Sequence, residues 1–447
     1  MATLAGTAAN DQLFGTAERD SIIGLAGHDL LDGGDGNDTI DGGAGFFDRL
    51  YGGAGGDYFA GFRDDDGVLT QVNYPLTNRH LGSMATLAMN NIANNLDVTL
   101  GVHGYRFWRR NWEAISPELE TPYYDDRTMK DEVSGFAKAE YRVGGFTLAA
   151  DVQVRGVTMT FLPDLSWLEP GTQIPVQDWF FVNPRFGVTY QLSREAHLFA
   201  SAGHTGREPT RFDLLGGTMV NEANVDVLLN PGTVKAESVT DVELGYRHHA
   251  AQWSVEANGF AMFMTNEIAP IGQYIDQWFV QLRKNVPKSQ RLGLEFVGSV
   301  QPIPQLGITA QATWMTSNID SYTPENTGVD TTYVNVEAVL TPNVIATVAV
   351  DYAPVEPLTI TGTVRTVGKQ WLELSNNPQL TLDAFTVVDL GVTWKAFGRH
   401  RLGITVHNLF NETYAATGAT TFWEGATVPA VFMQASRNVM VLLEVTL

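Results

Sequence analysis

The sequence predicts an all-β protein: an antiparallel transmembrane β-barrel of about 15–16 strands, complete or truncated, preceded by a short parallel β-roll. Three observations predict it. Apolar and polar residues alternate with period two along most of the chain, the signature of strands with two unlike faces. The connections between these stretches are short and long by turns, as in barrels with tight turns at one rim and large loops at the other. The first 60 residues carry a nine-residue repeat.

The repeat divides as GTAANDQLF (6–14), GTAERDSII (15–23), GLAGHDLLD (24–32), GGDGNDTID (33–41), GGAGFFDRLY (42–51) and GGAGGDYFA (52–60). Aspartate recurs at Asp11, Asp20, Asp29, Asp38, Asp48 and Asp57, and an apolar residue follows two positions later at Leu13, Ile22, Leu31, Ile40, Leu50 and Phe59. This resembles the calcium-binding nonapeptide of RTX (hemolysin-type) proteins. The resemblance implies a roll of tight turns and short strands over 1–60, with Ca²⁺ at the six aspartates. Glycine permits left-handed turns and close carbonyls, and a carboxylate is a hard oxygen ligand suited to Ca²⁺. Stacked carboxylates repel, so folding is expected to require the metal. The first two repeats hold Thr or Ala where glycines belong and are the poorer ligands; Asp29, Asp38 and Asp57 occupy the best turns. His28 reads as a solvated turn residue. The competing reading is a flexible Gly/Asp linker, against which stand six in-phase Asp/apolar pairs.

Residues 61–79, with three acids at 64–66, read as a linker or partial strand, and 80–447 as the barrel. Strands are expected near 80–91, 95–108, 131–143, 145–158, 180–192, 196–204, 235–249, 252–266, 277–300, 305–316, 334–353, 357–369, 383–397, 400–410 and 435–447, with no helices. Short links fall at 142–145, 192–195, 249–252, 303–305, 354–357 and 397–400; long ones near 109–130, 159–179, 205–234, 317–333, 370–382 and 411–434. In the final strand Val439, Val441, Leu443, Val445 and Leu447 share one face, expected to meet lipid; Met440, Leu442 and Glu444 share the other. Tyr352, Trp371, Trp394, Phe410, Tyr414 and Trp423 suit interfacial girdles. Glu243, Glu256 and Glu295, with Arg247 and Arg365, read as a wet lining.

The ending VHNLFNETY…RNVMVLLEVTL, carried by Asn408, Leu409, Phe410, Asn411, Tyr414, Arg437 and Asn438, resembles the C-terminus of TonB-dependent outer-membrane receptors. Arg207 to Thr210 with Asp213 and Leu214 is similar to a further family segment, as are Lys235, Glu237, Glu243, Leu244, Gly245 and Tyr246, and Asn285, Arg291, Gly293 and Glu295. The resemblance covers roughly 72–447. It implies a bacterial outer-membrane location, lipid contact, the TonB system as partner, and uptake of a siderophore-type, cobalamin or sugar ligand. The family also implies an N-terminal plug and about 22 strands; no plug is expected in this sequence, and an RTX-like roll stands in its place.

Composition narrows the classes. A net charge of −22 argues against nucleic acid as a partner. The absence of cysteine excludes disulfides and thiolate metal sites. No run reaches the ~18 apolar residues of a membrane helix, a test that barrels escape. The start MATLAGTAANDQLFG lacks the pattern of a secretory signal. No catalytic motif is found, and no enzyme is expected. The expected function is an outer-membrane receptor or transporter with a calcium-binding N-terminal segment. The alternatives are a plugless passive pore or inactive receptor fragment, and a secreted RTX-type protein. Fifteen strands would leave the first and last parallel at the seam. Residues 67–76 either supply a sixteenth strand or the sheet stays open; their weak alternation and Pro75 favour the open sheet.

Overall fold

The computed structural model describes residues 2–445 apart from 8, 10, 26–29, 35–37, 42–48, 52–57, 61–71, 74–75, 116–123, 164, 166–167, 272–273, 276–279, 325–330, 397–399 and 424–425. The chain divides into two compact units. One joins Met1–Leu81, Arg106–Asp131 and Met159–Val176; the other joins Gly82–Tyr105, Glu132–Thr158 and Gln177–Leu447.

In the first unit the repeat winds into two parallel sheets. Thr3–Ala5, Ser21–Ile23, Thr39–Asp41 and Tyr58–Ala60 form one; Gln12–Phe14, Leu30–Asp32 and Arg49–Tyr51 form the other. Two nonapeptides make one coil, so partners lie 18 residues apart, as Thr3↔Ser21 and Ser21↔Thr39. The ten-residue repeat at 42–51 stretches later pairs to 19, as Leu30↔Arg49 and Thr39↔Tyr58. Between the sheets Ile22, Leu31 and Ile40 are fully buried, with Leu4 and Leu13 packed against them. So thin a core buries little apolar surface and leaves the roll dependent on its turns.

The main sheet follows from the alternation. Its fifteen long strands coincide with those read from the sequence, from Leu76–Ile92 and Leu96–Ile115 through His400–His407 to Asn438–Glu444. Neighbours pair in chain order, and the order closes: after Asn438–Glu444 it returns through Val72–Asn73 and Leu76–Ile92 to Leu96–Ile115. The expectation of an open sheet is therefore corrected. The physical reason is that free strand edges leave unpaired backbone groups that lipid cannot satisfy.

Within the second unit, pairing is antiparallel and in register, so each face stays uniform from strand to strand. Leu244↔Gly259↔Leu294↔Trp314 run along one face and Glu243↔Phe260↔Gly293↔Met315 along the other. The first face is apolar and open, with Leu244 at 65% and Leu294 at 59% exposure. That is the band expected to meet hydrocarbon. At the last strand Val406↔Val439, Ile404↔Val441 and Leu402↔Leu443 continue this face, while Arg401 and Glu444 pair at 3.1 Å on the other.

The buried core of the second unit lies in its loops. Ala269, Ile271, Val286, Ile319, Tyr322, Val336 and Leu374 form one cluster; Leu372, Leu380 and Leu382 form another. These residues belong to the long connections and the strand ends that feed them. Two details depart from the sequence reading. The connection 205–234 holds two short helices, Arg211–Leu215 and Val225–Leu229. The stretch expected as one strand over 334–353 is split into Tyr333–Val336 and Val344–Val355.

Candidate functional site

The polar inner face of the second unit is the candidate site. On neighbouring strands, Asp151, Gln153, Asn183, Arg185 and Asp241 line a cavity of about 440 Å³. Asn183 holds its rim: its Nδ2 donates to Gln153 Oε1 at 3.1 Å, and its Oδ1 accepts from Gly206 N at 3.0 Å. Along the same face Arg247 makes a two-pronged pair with Glu256, both contacts at 2.6 Å, and Arg291 meets Glu267 at 2.6 Å. Further round, hydroxyls replace charges: Thr309, Thr313, Thr347, Thr361, Thr363, Thr393 and Thr405 share the inward register with Arg365 and Asp389. The wall offers donors, acceptors and both charges to a polar solute or a polar protein surface.

Above this wall the loop 205–234 is tied down by ions. Thr210 and Asp213 form a reciprocal capping box at the start of Arg211–Leu215, because the first turn of a helix leaves N–H groups without partners. Arg207 donates to Asp213 at 2.9 Å and to Glu237 at 2.7 Å, and Glu237 accepts from Ile268 N at 2.9 Å. Arg283 approaches Asp213 at 3.4 Å and lies 4.9 Å from the centre of the Phe212 ring. Burial raises the Asp213 carboxyl, but the Thr210 amide and hydroxyl and the Arg207 guanidinium outweigh it, holding the group below the ordinary carboxylate range. Beside it Arg155 pairs with Glu208 and lies 3.5 Å from Glu132, with the Phe181 ring 5.1 Å away.

The residues that carried the family resemblance are staples of the barrel. Asn285 donates to Lys235 O at 2.9 Å and Asn266 O at 2.7 Å while accepting from Lys235 N at 2.7 Å. Asn408, at φ 53° and 3% exposure, exchanges two bonds with the Glu412 backbone at 2.7 and 2.8 Å. Asn411 accepts from Arg437 N at 2.8 Å, closing the base of the last loop. Gly245 and Gly293 make room for rings: a Cβ at either would lie 2.2 Å from Phe199 or 2.4 Å from Phe260. Tyr352, Trp394 and Phe410 are exposed, as girdle residues should be. Tyr414 is not a girdle residue, since its ring packs at a tilt against Phe385, with centroids 4.3 Å apart, and its hydroxyl accepts from Arg365. Trp371 is not one either; its indole donates to Glu337 at 2.9 Å and Lys369 lies over its ring. The side chain of Trp423 lies outside the described residues.

In the roll, Asp11 Oδ2 accepts from Thr7 N at 2.5 Å and Thr7 Oγ1 at 2.9 Å. Asp20 Oδ2 likewise accepts from Thr16 N at 2.6 Å and Thr16 Oγ1 at 2.7 Å, and its Oδ1 accepts from Ala2 N. In both turns one threonine thus donates its amide and its hydroxyl to a single carboxylate oxygen. Asp38 lies in a Gly-Gly turn: its Oδ1 accepts from Asp20 N at 2.7 Å, and a Cβ at Gly33 would stand 2.5 Å from its Oδ2. That turn carries no such hydroxyl, and its oxygen donor set suits a hard cation. Among the described residues no three acidic or histidine side chains gather, so backbone carbonyls would have to complete any shell. Asp29, Asp48, Asp57 and His28 lie outside the described residues. Sequence reasoning missed Asp151, Asn183 and Arg185, which pairing alone brings together. It also passed over the Thr210–Asp213 spacing, itself a helix-start signal.

The family profile "TonB dependent receptor-like, beta-barrel" matches residues 5–409, and the chain belongs to this family. It is a bacterial outer-membrane barrel. Solved structures share the fold at low identity. The ferric yersiniabactin uptake receptor FyuA from Yersinia pestis is 15% identical with a TM-score of 0.62, over 83% of this chain and 54% of that one. The copper transporter OprC is 15% identical at TM-score 0.64, over 82% and 56%. The ferric citrate transporter FecA is 15% identical at TM-score 0.63, over 84% and 55%. The chain thus spans about half the length of these structures. No curated protein sequence matches it.

Proposed function

We propose that the chain is the barrel of an outer-membrane receptor that takes up a metal chelate of the siderophore type, energised through TonB. The observation that carries this reading is the continuous polar inner wall beneath ion-anchored loops. The structures it resembles include, by their own descriptions, handlers of ferric chelates and copper. Cobalamin and sugars are the other ligand classes the family implies. The test is uptake of radiolabelled iron, presented as ferric citrate or a hydroxamate or catecholate chelate, in cells lacking their own receptors. Uptake that needs both this chain and TonB supports the reading. Diffusion of small solutes without TonB would make it a passive pore, and release into the medium would make it a secreted protein.

The same proposal includes calcium in the roll. The nine-residue period and the Gly-Gly turn at Asp38 support it, whereas Asp11 and Asp20 act there as caps on Thr7 and Thr16. Titration calorimetry of the full chain should show binding at about 10⁻⁴–10⁻³ M, the range of extracellular modules, weakened by Asp38→Ala. Equal heats from both proteins would remove calcium from the account.

A further inference from the structure

We propose that the hollow over Gly203 on the inner wall is a subsite for small zwitterions, solutes that carry both a carboxylate and an ammonium group, as amino acids and short peptides do. Four adjacent strands contribute one residue each, and all four residues lie in the second unit. Arg185 pairs with Gly203, and Gly203 with Asp241. Asn183 reaches Gln153, and a Cβ at Gly187 would stand 3.8 Å from that of Ala149, so Asp151 lies beside Arg185. The row therefore runs Asp151, Arg185, Gly203, Asp241. Glycine leaves a gap in it: Arg185 and Asp241 stand two strand spacings apart, roughly 9–10 Å along the sheet, with no side chain between them. The cavity of about 440 Å³ opens over this gap, a volume within the usual range of small-molecule sites.

Elsewhere on this wall charges cancel in pairs, as Arg247 with Glu256 and Arg291 with Glu267. Around the hollow they do not. Among the described residues Arg185 and Asp151 form no ion pair or hydrogen bond, and Asp241 Oδ1 accepts none. A guanidinium without a partner offers parallel donors to a carboxylate. A carboxylate oxygen without a donor attracts an ammonium. One solute that bears both groups satisfies the two ends of the gap, its carboxylate on Arg185 and its ammonium on Asp241. A simple anion would leave Asp241 unsatisfied, and a simple cation would leave Arg185 so. Asp151 adds a second negative charge beside Arg185, which turns polyanions away. Thr205 and Val239, one step along the same strands, line the cavity with a hydroxyl and with apolar surface. The inference goes beyond uptake of a metal chelate, since it requires neither a metal nor TonB.

The test is equilibrium dialysis of the purified full chain in neutral maltoside micelles against three radiolabelled, metal-free probes. These are L-alanyl-L-alanine, its N-acetyl derivative, which lacks the ammonium, and its amide, which lacks the carboxylate. Wild type should bind the dipeptide roughly tenfold or more tightly than either derivative. R185Q should bind the dipeptide no better than the amide, and D241N should bind it no better than the N-acetyl derivative. Gly203→Val should fill the hollow and lose all three probes. An added Cβ there meets Arg185 Cγ at 3.5 Å, an ordinary contact that the barrel tolerates. R142Q removes the same charge at the ion pairs with Asp97 and Glu140 and should behave as wild type. Heat-modified gel mobility verifies that each barrel is folded. Equal binding of the dipeptide and either derivative by wild type would overturn the proposal, and so would undiminished binding by folded Gly203→Val.

Discussion

Asn408 shows how much one side chain can hold. Its amide satisfies both backbone groups of Glu412 while its own main chain sits at φ 53°, a conformation asparagine tolerates better than most residues. Asn408→Ala should strand those groups and cost about 2–3 kcal/mol, measured as a lower urea midpoint in lipid vesicles. Asp20 gives a pH test. The Ala2 amide, then the Thr16 hydroxyl and amide, hold its carboxyl below the ordinary value. A lowered folded pKa contributes stability that is present above the unfolded value, near ~3.9, and is lost as pH falls through the folded one. The roll should therefore become open to pepsin as pH drops below about 4, and Asp20→Asn should flatten that dependence.

Single strands are organised by face, and two tests belong at this scale. Ile404↔Val441 lies on the lipid side and Thr405↔Met440 on the lumen side. Val441→Arg should therefore impair assembly by about 2–4 kcal/mol and Met440→Arg much less, read from folded fractions on unheated gels. Gly245 tests curvature. Its partner ring, Phe199, fills the space a side chain would take, a pairing that lets a strand bend without leaving a void. Gly245→Ala should cost about 1–3 kcal/mol by overpacking. The double variant F199A/G245A should recover part of that loss, a non-additivity that separates crowding from simple loss of contact.

For the whole molecule, the testable consequence concerns how the roll responds to calcium. The turns at Thr7 and Thr16 cap their aspartates with a threonine amide and hydroxyl, whereas glycines stand at 33 and 34 in the turn that precedes Asp38. On chelation, hydrogen exchange in the full chain should rise first around 33–41 and stay low around 2–23. A uniform rise, or none, would show that calcium does not divide the roll in this way.

Alternation by itself determined the strands, their faces and the side of the long loops, because a period of two survives in sequence whatever the strand pairs with. The nine-residue period likewise determined the roll and its buried Ile22, Leu31 and Ile40. Tertiary structure decided the rest. Ring closure depends on edges more than 300 residues apart, from Leu76–Ile92 to Asn438–Glu444, and no local pattern encodes it. The helix Arg211–Leu215 was legible only as Thr210 and Asp213, and its ties to Arg207, Glu237 and Arg283 come from three separate segments. The cavity of Asp151, Asn183, Arg185 and Asp241 also had to await pairing, since residues 90 positions apart become neighbours only through strand register. The roll aspartates show the same limit. One spacing serves both the threonine-capped turns of Asp11 and Asp20 and the glycine turn before Asp38, and only the hydrogen bonds of each turn tell them apart.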